Sequence, residues 1–430
     1  MIQIDARLDE LKALGLQRRT RLVSGPQGPH VVLDGKPVLL LCSDNSLGLA
    51  DHPRVRGAVA DAAVRWGVGA GGSRLGSGTM TIHRRLEESL AEFVARESAL
   101  LFGSLHLAAA GTIAALARSG DTIFSDELNQ AALVDGCRLS RAEVFVYDHC
   151  DVEHLAWGIE QTEGRGALVV TESVFAVDGD VAPLREIVEL AQHYGLRTLV
   201  DESQAHGALG PGGRGALAAA GLEDQVDVVV GSLAAALASY GAFVACDRQM
   251  TRYLISAART FASSPALPPP AVAGAAAALE LLLERPERLR RLTANATALR
   301  GALEREGFDT GASRSHIVAP PVSDARLAGA ICESALLHGM FIDSVRPAPG
   351  AARAARLRLT TMATHHPAEL AGAAETLGGV ARALGYERPA RREVDDWSQA
   401  AEGLEHESDG ASRATGVFDH EATERTRRAA

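Results

Sequence analysis

Strand-like runs such as Ala167 to Val170, Arg197 to Val200 and Val226 to Val230 alternate along this chain with helical segments such as Leu184 to Tyr194, and the runs show no apolar–polar alternation. A strand that is apolar on both sides has to be covered on both faces. With helices between the strands, this leads to an α/β fold whose parallel sheet lies between helical layers. Gln161 to Asp201 shows the unit: strand, loop, helix, strand, with Asp201 at the carboxyl end of the second strand. Ligands of open α/β sheets collect at that edge, which makes Asp201 the first candidate site residue.

Four stretches divide the chain. Residues 1–50 read as an N-terminal helix and an extended segment, and residues 51–287 as a large domain. A smaller α/β domain, 288–387, opens on the long helical region Leu289 to Gly307. It contains His316 to Val322, a helix around Ala325 to Gly339 and a strand at Arg356 to Thr361. Residues 388–430 turn to Glu, Asp, Ser, Gly and Arg, a composition that buries too little apolar surface to offset chain entropy, and a flexible tail is expected there.

Hydrophobic residues make up 47% and charged residues 23% of the chain, enough for a large core. The net charge of −11 argues against nucleic acid as the main partner. Cys42, Cys137, Cys150, Cys246 and Cys332 form no C-x-x-C pair, so neither a disulfide framework nor a zinc site is indicated. Met1 to Gly15 mixes charges into a helical pattern and is no secretory signal. Ala271 to Leu283 is broken by Glu280 and reads as a buried helix, not a membrane span. A cytoplasmic protein with no membrane partner is the expectation.

Several motifs then follow in order. They are S-D-N-S-L-G-L-A-D-H-P at Ser43 to Pro53, G-A-G-G-S-R-L-G-S-G at Gly69 to Gly78, T-E-S-V-F-A-V-D-G-D at Thr171 to Asp180, V-D-E-S-Q-A-H-G at Val200 to Gly207, and A-R-L-R-L-T at Ala355 to Thr360. Over roughly residues 25 to 385 the chain resembles the α-oxoamine synthases, pyridoxal-phosphate (PLP) enzymes that condense an amino acid with an acyl thioester. The resemblance implies PLP-transferase fold type I, with a large, mainly parallel-sheet domain and a smaller C-terminal α/β domain. It also implies a thioester donor carried on coenzyme A or an acyl carrier protein, and a homodimer whose sites draw on both subunits, with a heterodimer as the variant.

The family's chemistry depends on a lysine, and this chain has only Lys12 and Lys36. In the segment resembling the family's G-T-x-S-K-A, Gly231 to Ala236, the lysine position is Ala235. A methyl group can neither form a Schiff base nor shuttle a proton. The same comparison puts Gln130 and Gln204 where the family has histidines, Leu105 where it has a phosphate-turn glycine, and Asp44 where an asparagine assists the carboxylate-binding arginine, here Arg358. These departures lead to the expectation of no covalently bound cofactor and at most a weak, non-covalent hold on PLP. Asp44 should repel a substrate carboxylate or occupy Arg358.

Asp201 matches the aspartate that pairs with the pyridinium nitrogen. Arg74 and Ser173 complete the candidate substrate lining with Asp44, Gln130, Gln204 and Arg358, although dimer contacts or capping are the plainer roles for Arg74 and for His83. Two histidines are candidate catalytic bases: His106, after the phosphate turn, and His206, which an extended backbone would place on the same side as Gln204. No metal is expected. Three functions compete, in this order. The first is a PLP-independent acyl-thioester transferase using histidine chemistry, the second a non-catalytic partner of a lysine-bearing relative, and the third an inactivated PLP synthase.

Overall fold

A computed structural model describes residues 3–13, 17, 19–162, 165–346 and 354–387. The expected tail, 388–430, lies outside the described residues. Seven strands build the main sheet: β4 (Ser98–Phe102), β5 (Asp121–Asp126), β6 (Glu143–Tyr147), β7 (Arg165–Glu172), β8 (Arg197–Asp201), β9 (Val228–Ser232) and β10 (Ala242–Cys246), in the order β4-β10-β9-β8-β7-β5-β6. Neighbours from β9 to β6 are parallel, and only β10 runs antiparallel, to both β9 and β4. The expected fold type is what the chain adopts. Because β10 is antiparallel to both of its neighbours, β4 ends at the same edge as β9 and β8.

The two faces of the sheet carry separate apolar clusters. Val169, Val200, Val229 and Phe243 face one cluster, while Leu168, Val170, Leu199, Val228, Val230 and Val244 face the other. That division explains why these strands lack polar alternation: both sides are core.

A third apolar cluster gathers the C-terminal half. Leu299 and Leu303 of the helix Glu287–Arg305, Ile331 of Ala325–Leu337 and Leu377 of Pro367–Ala383 pack on Leu357 and Leu359. Leu357 and Leu359 belong to β15 (Ala355–Thr360), which pairs with β11 (Ile317–Val318), β12 (Pro321–Val322) and β14 (Asp343–Val345). The N-terminal strands β1 (Val23–Ser24), β2 (His30–Leu33) and β3 (Lys36–Leu40) join this half, because β3 pairs in parallel with β13 (Met340–Phe341) and Leu39 and Leu41 enter the same cluster. None of the helices among the described residues is long and apolar enough to cross a membrane.

The T-E-S-V-F-A-V-D-G-D segment folds back on itself through a Val174↔Val181 bridge and docks on the C-terminal half. The Gly179 carbonyl accepts the Arg314 and Ser315 amides and the Ser315 hydroxyl, and Asp178 pairs with Arg356 at 2.8 Å. Gly179 has φ +73°, and a Cβ there would lie 2.3 Å from the Ile317 carbonyl oxygen. Backbone cannot yield as a flexible side chain can. A Gly179→Ala substitution is therefore expected to cost roughly 3 kcal/mol. Urea denaturation measures this, and a loss below about 1 kcal/mol would show that the docked turn relaxes freely.

Candidate active site

The carboxyl ends of the parallel strands place a row of polar residues along one edge: Ser232 on β9, Asp201 on β8, Glu172 on β7 and Asp126 on β5. Asp201 and Glu172 are register partners, and each is only 1% exposed. Asp201 accepts the Ser203 amide at 2.8 Å on one oxygen and the Gln130 side-chain amide at 2.6 Å on the other. Glu172 accepts the Gln130 backbone amide at 2.6 Å and that of Ala176 at 3.2 Å. One residue, Gln130, thus ties both carboxylates. It can do so because it caps the helix Ala131–Ser140 in an extended conformation, with its backbone amide facing the edge.

Among the described residues, no lysine or arginine pairs with either acid. Burial pushes the Asp201 carboxyl up to about 6, against the opposing pull of the Ser203 hydrogen bond. Burial, with the charge of Asp201 behind it, raises Glu172 well above the ordinary carboxylate range. Burial thus makes a second negative charge on this pair costly, and the pair presents a buried acceptor site suited to a protonated ring or amine.

The other candidate residues divide. Arg358 donates to the Ala176 carbonyl at 2.7 Å and approaches Asp44 at 3.5 Å, so of the two outcomes foreseen for Asp44 the structure takes the pairing. Gln204 lies three residues beyond Asp201, and its Oε1 is buried without a hydrogen-bond partner among the described residues. Ser173 is buried and turns to the Asp201 carbonyl. The structure commits Arg74 to other partners. This arginine forms a buried ion pair with Glu87 at 2.7 Å, donates to Thr79 and lies over Phe261, so its charge is already neutralised within the core. His83 caps its own helix at Met80 and reaches the Leu267 carbonyl at 2.8 Å.

Neither candidate catalytic histidine is placed as a base. His106 sits in the first turn of the helix Leu105–Leu116 with its side chain 52% exposed, and its nearest carboxylate is Asp135 at 3.6 Å. His206 is 4% exposed, packed between Phe93 and Phe243, with Glu202 at 3.4 Å. The expectation for His206 assumed an extended backbone. The chain instead turns after β8, with the Ala205 and His206 amides both donating to the Glu202 carbonyl, and this drives the ring into the core behind Gly231.

Two groups at this edge were not singled out in the sequence. Glu172 stood inside a quoted motif, and only its pairing with Gln130 reveals it. His149 donates to Asp126 at 2.9 Å and to Asp180 at 2.7 Å. Burial pulls its basicity down, but the two carboxylates outweigh it and hold the ring at about 12, as a permanent imidazolium joining the edge to the Asp180 turn. A D-H pair just past an apolar strand was the available signal.

Ala235 lies in the turn after β9 and is buried, with its carbonyl accepting the Ala238 amide. Leu105, where the family has its phosphate-turn glycine, would obstruct a phosphate if its side chain lay across the turn. Its side chain instead packs against the cluster of Leu100, Phe102 and Ile113; the Ser104 hydroxyl already accepts the Leu107 amide at 3.2 Å, which leaves the Leu105 and His106 amides as the donors of the first turn.

The aminotransferase class I and II family model matches residues 36–377. The 8-amino-7-oxononanoate synthase of Anaeromyxobacter dehalogenans is 45% identical over 379 residues, covering 88% of this chain and 95% of that protein. The enzyme of the same name from Citrifermentans bemidjiense is 43% identical over 381 residues, covering 88% and 98%. Among solved structures, a serine palmitoyltransferase from S. paucimobilis superposes with a TM-score of 0.84 at 32% identity, covering 89% of this chain and 97% of that one. That protein is a lysine-to-alanine variant with a bound PLP–myriocin aldimine. These relatives overturn the expectation of no covalently bound cofactor and at most a weak hold on PLP: in a similar fold, a lysine-to-alanine variant still carries PLP as an aldimine, so the missing lysine does not exclude the group.

Proposed function

This chain belongs to the aminotransferase class I and II family, among the α-oxoamine synthases, and from that premise we propose that it is a PLP-binding, acyl-thioester-using protein. The observation that carries this reading is Asp201, a buried carboxylate at the carboxyl edge with hydrogen-bond donors around it and, among the described residues, no lysine or arginine paired with it. The residues present fit the cofactor. Asp201 would take the ring nitrogen, the Leu105 and His106 amides, which the Ser104 cap leaves over, would take the phosphate at the same edge, and the Gln204 Oε1, unpartnered among the described residues, offers one further acceptor. When bound, PLP supplies an aldehyde that captures amines and an electron-withdrawing ring. The chain's own part is to bind, orient and exclude water.

The donor on this reading is an acyl thioester of coenzyme A or an acyl carrier protein, and the acceptor is an amine. Asp44 beside Arg358 weakens the case for an α-carboxylate on that amine, since the arginine already has an anion. A homodimer is part of the proposal: Val64, Val68 and Leu75 expose apolar side chains on one continuous segment around the glycine-rich turn, which suits a buried interface. The Asp44–Arg358 pair also favours a second reading, in which the chain is a non-catalytic partner of a lysine-bearing relative.

One preparation tests these points. Titration with PLP, followed by absorbance and protein fluorescence, is expected to saturate at one per chain. Light scattering should give a dimer mass. No saturation at millimolar PLP would overturn the cofactor reading, and a monomer mass the dimer. Thiol release from a panel of acyl thioesters, with PLP and amines present, separates the two readings. Release by this chain alone supports the first, and release only with a lysine-bearing relative supports the second.

A further inference from the structure

We propose that Gln130 is a latch on the cofactor site: in the ligand-free protein its side-chain amide occupies the Asp201 oxygen that a ring nitrogen needs, and it must let go before a ring can bind. This rests on the PLP-binding reading above. The geometry for it is specific. Asp201 has one oxygen committed to the Ser203 amide, which belongs to its own turn and cannot leave without unfolding it. The other oxygen is held by the Gln130 Nε2 at 2.6 Å. The Gln130 backbone is fixed, because its amide donates to Glu172 at 2.6 Å and it caps a helix whose Leu133 and Val134 amides return to its carbonyl. Only its side chain is free to move. Gln130 is half-buried, so a released amide can turn toward solvent and recover hydrogen bonds there.

A latch of this kind has two consequences that a passive pocket wall would not have. Without a ligand it supplies the second donor to a buried carboxylate, so its removal leaves an unsatisfied acceptor and lowers stability. With a ligand it competes, so its removal tightens binding. A side chain that merely contacted the ring would do the reverse in the second case.

The test uses the full chain and Gln130→Ala, with Gln130→Leu as a variant that preserves bulk, and Asp201→Asn as the control for the site itself. Ligand-free Gln130→Ala and Gln130→Leu are expected to melt below the wild type, and Gln130→Ala to bind PLP about tenfold more tightly, as expected when one hydrogen bond to a charged group no longer has to be broken. Readouts are differential scanning calorimetry without ligand and PLP dissociation constants by fluorescence. If Asp201→Asn loses PLP while Gln130→Ala binds it no better than the wild type, the functional reading survives and the latch does not. If no variant binds PLP but both Gln130 variants melt lower, the hydrogen bond is real and the functional reading fails. If the Gln130 variants melt like the wild type, the latch is overturned whatever the binding shows.

Discussion

An Asp201→Asn protein is expected to bind PLP about 100-fold more weakly, or worse, and yet to be more heat-stable than the wild type at pH 8. Asparagine keeps the shape, can still accept the Ser203 amide, and can pair with Gln130 once that side-chain amide turns over. What it removes is charge. The wild-type carboxyl titrates at about 6 in the folded protein, chiefly because burial disfavours its charged form. Unfolded, it titrates near 3.9. A carboxyl whose folded value is the higher one takes up its proton more readily in the native state, so the penalty is fully present above the folded value. It is relieved as pH falls through that value. The stability gain of Asp201→Asn should therefore be largest at pH 8 and shrink toward pH 5, whereas wild-type PLP affinity should fall over the same descent as the carboxylate is lost. Melting curves at the two pH values, paired with PLP titrations, read both. A variant that melts below the wild type at pH 8, or binds PLP as the wild type does, would show that Asp201 is a structural cap and not the floor of a site.

The sheet edge was legible in the sequence because its cause is local. Runs such as Ala167 to Val170 are apolar on both faces, and a polar residue that follows such a run, as Asp201 follows Leu199 and Val200, has to emerge at the strand end. What local pattern does not carry is who meets whom. Residues 1–50 read as a unit of their own, but β3 finds its parallel partner at Met340, and a partner three hundred residues away leaves no trace in periodicity. Glu172 escaped notice for the same reason, since its significance lies in the Gln130 amide, which is brought to it by a helix start on a different part of the sheet.

His206 shows the opposite failure, in which a local rule was applied to the wrong local structure. A spacing of two residues puts side chains on one side of a strand, but the strand ends at Asp201 and the following residues turn. In a turn that spacing no longer holds, and the imidazole is packed among phenylalanines. Leu105 differs from expectation for a related reason: its side chain is taken up by contacts with Leu100, Phe102 and Ile113, which its place in the sequence does not indicate.

The last expectation concerns the missing amine. In Ala235→Lys, borohydride treatment after PLP addition should fix about one cofactor per chain at position 235, and in the wild type none there. Ala235 lies in the turn that follows β9, the strand next to β8 and Asp201, so a lysine side chain rising from it starts at the edge where the ring would lie. Its burial favours the reaction, because a desolvated amine is held more neutral and is the better nucleophile. Condensing activity, read as thiol release with glycine or alanine as acceptor, should nevertheless stay at the wild-type level. Gln130 still competes with the ring for the Asp201 oxygen it holds at 2.6 Å, and Asp44 still stands 3.5 Å from Arg358, so the ring is held less firmly and a substrate carboxylate meets no free arginine. Adding Gln130→His and Asp44→Asn to Ala235→Lys removes both obstacles, and activity that emerges only in the triple variant would locate the loss of chemistry in all three positions together. Peptide mapping of the reduced adduct decides the first step. If position 235 stays unlabelled, the turn after β9 is not where this chain's amine is missing. If Ala235→Lys alone condenses glycine, the Gln130 and Asp44 contacts do not guard the site.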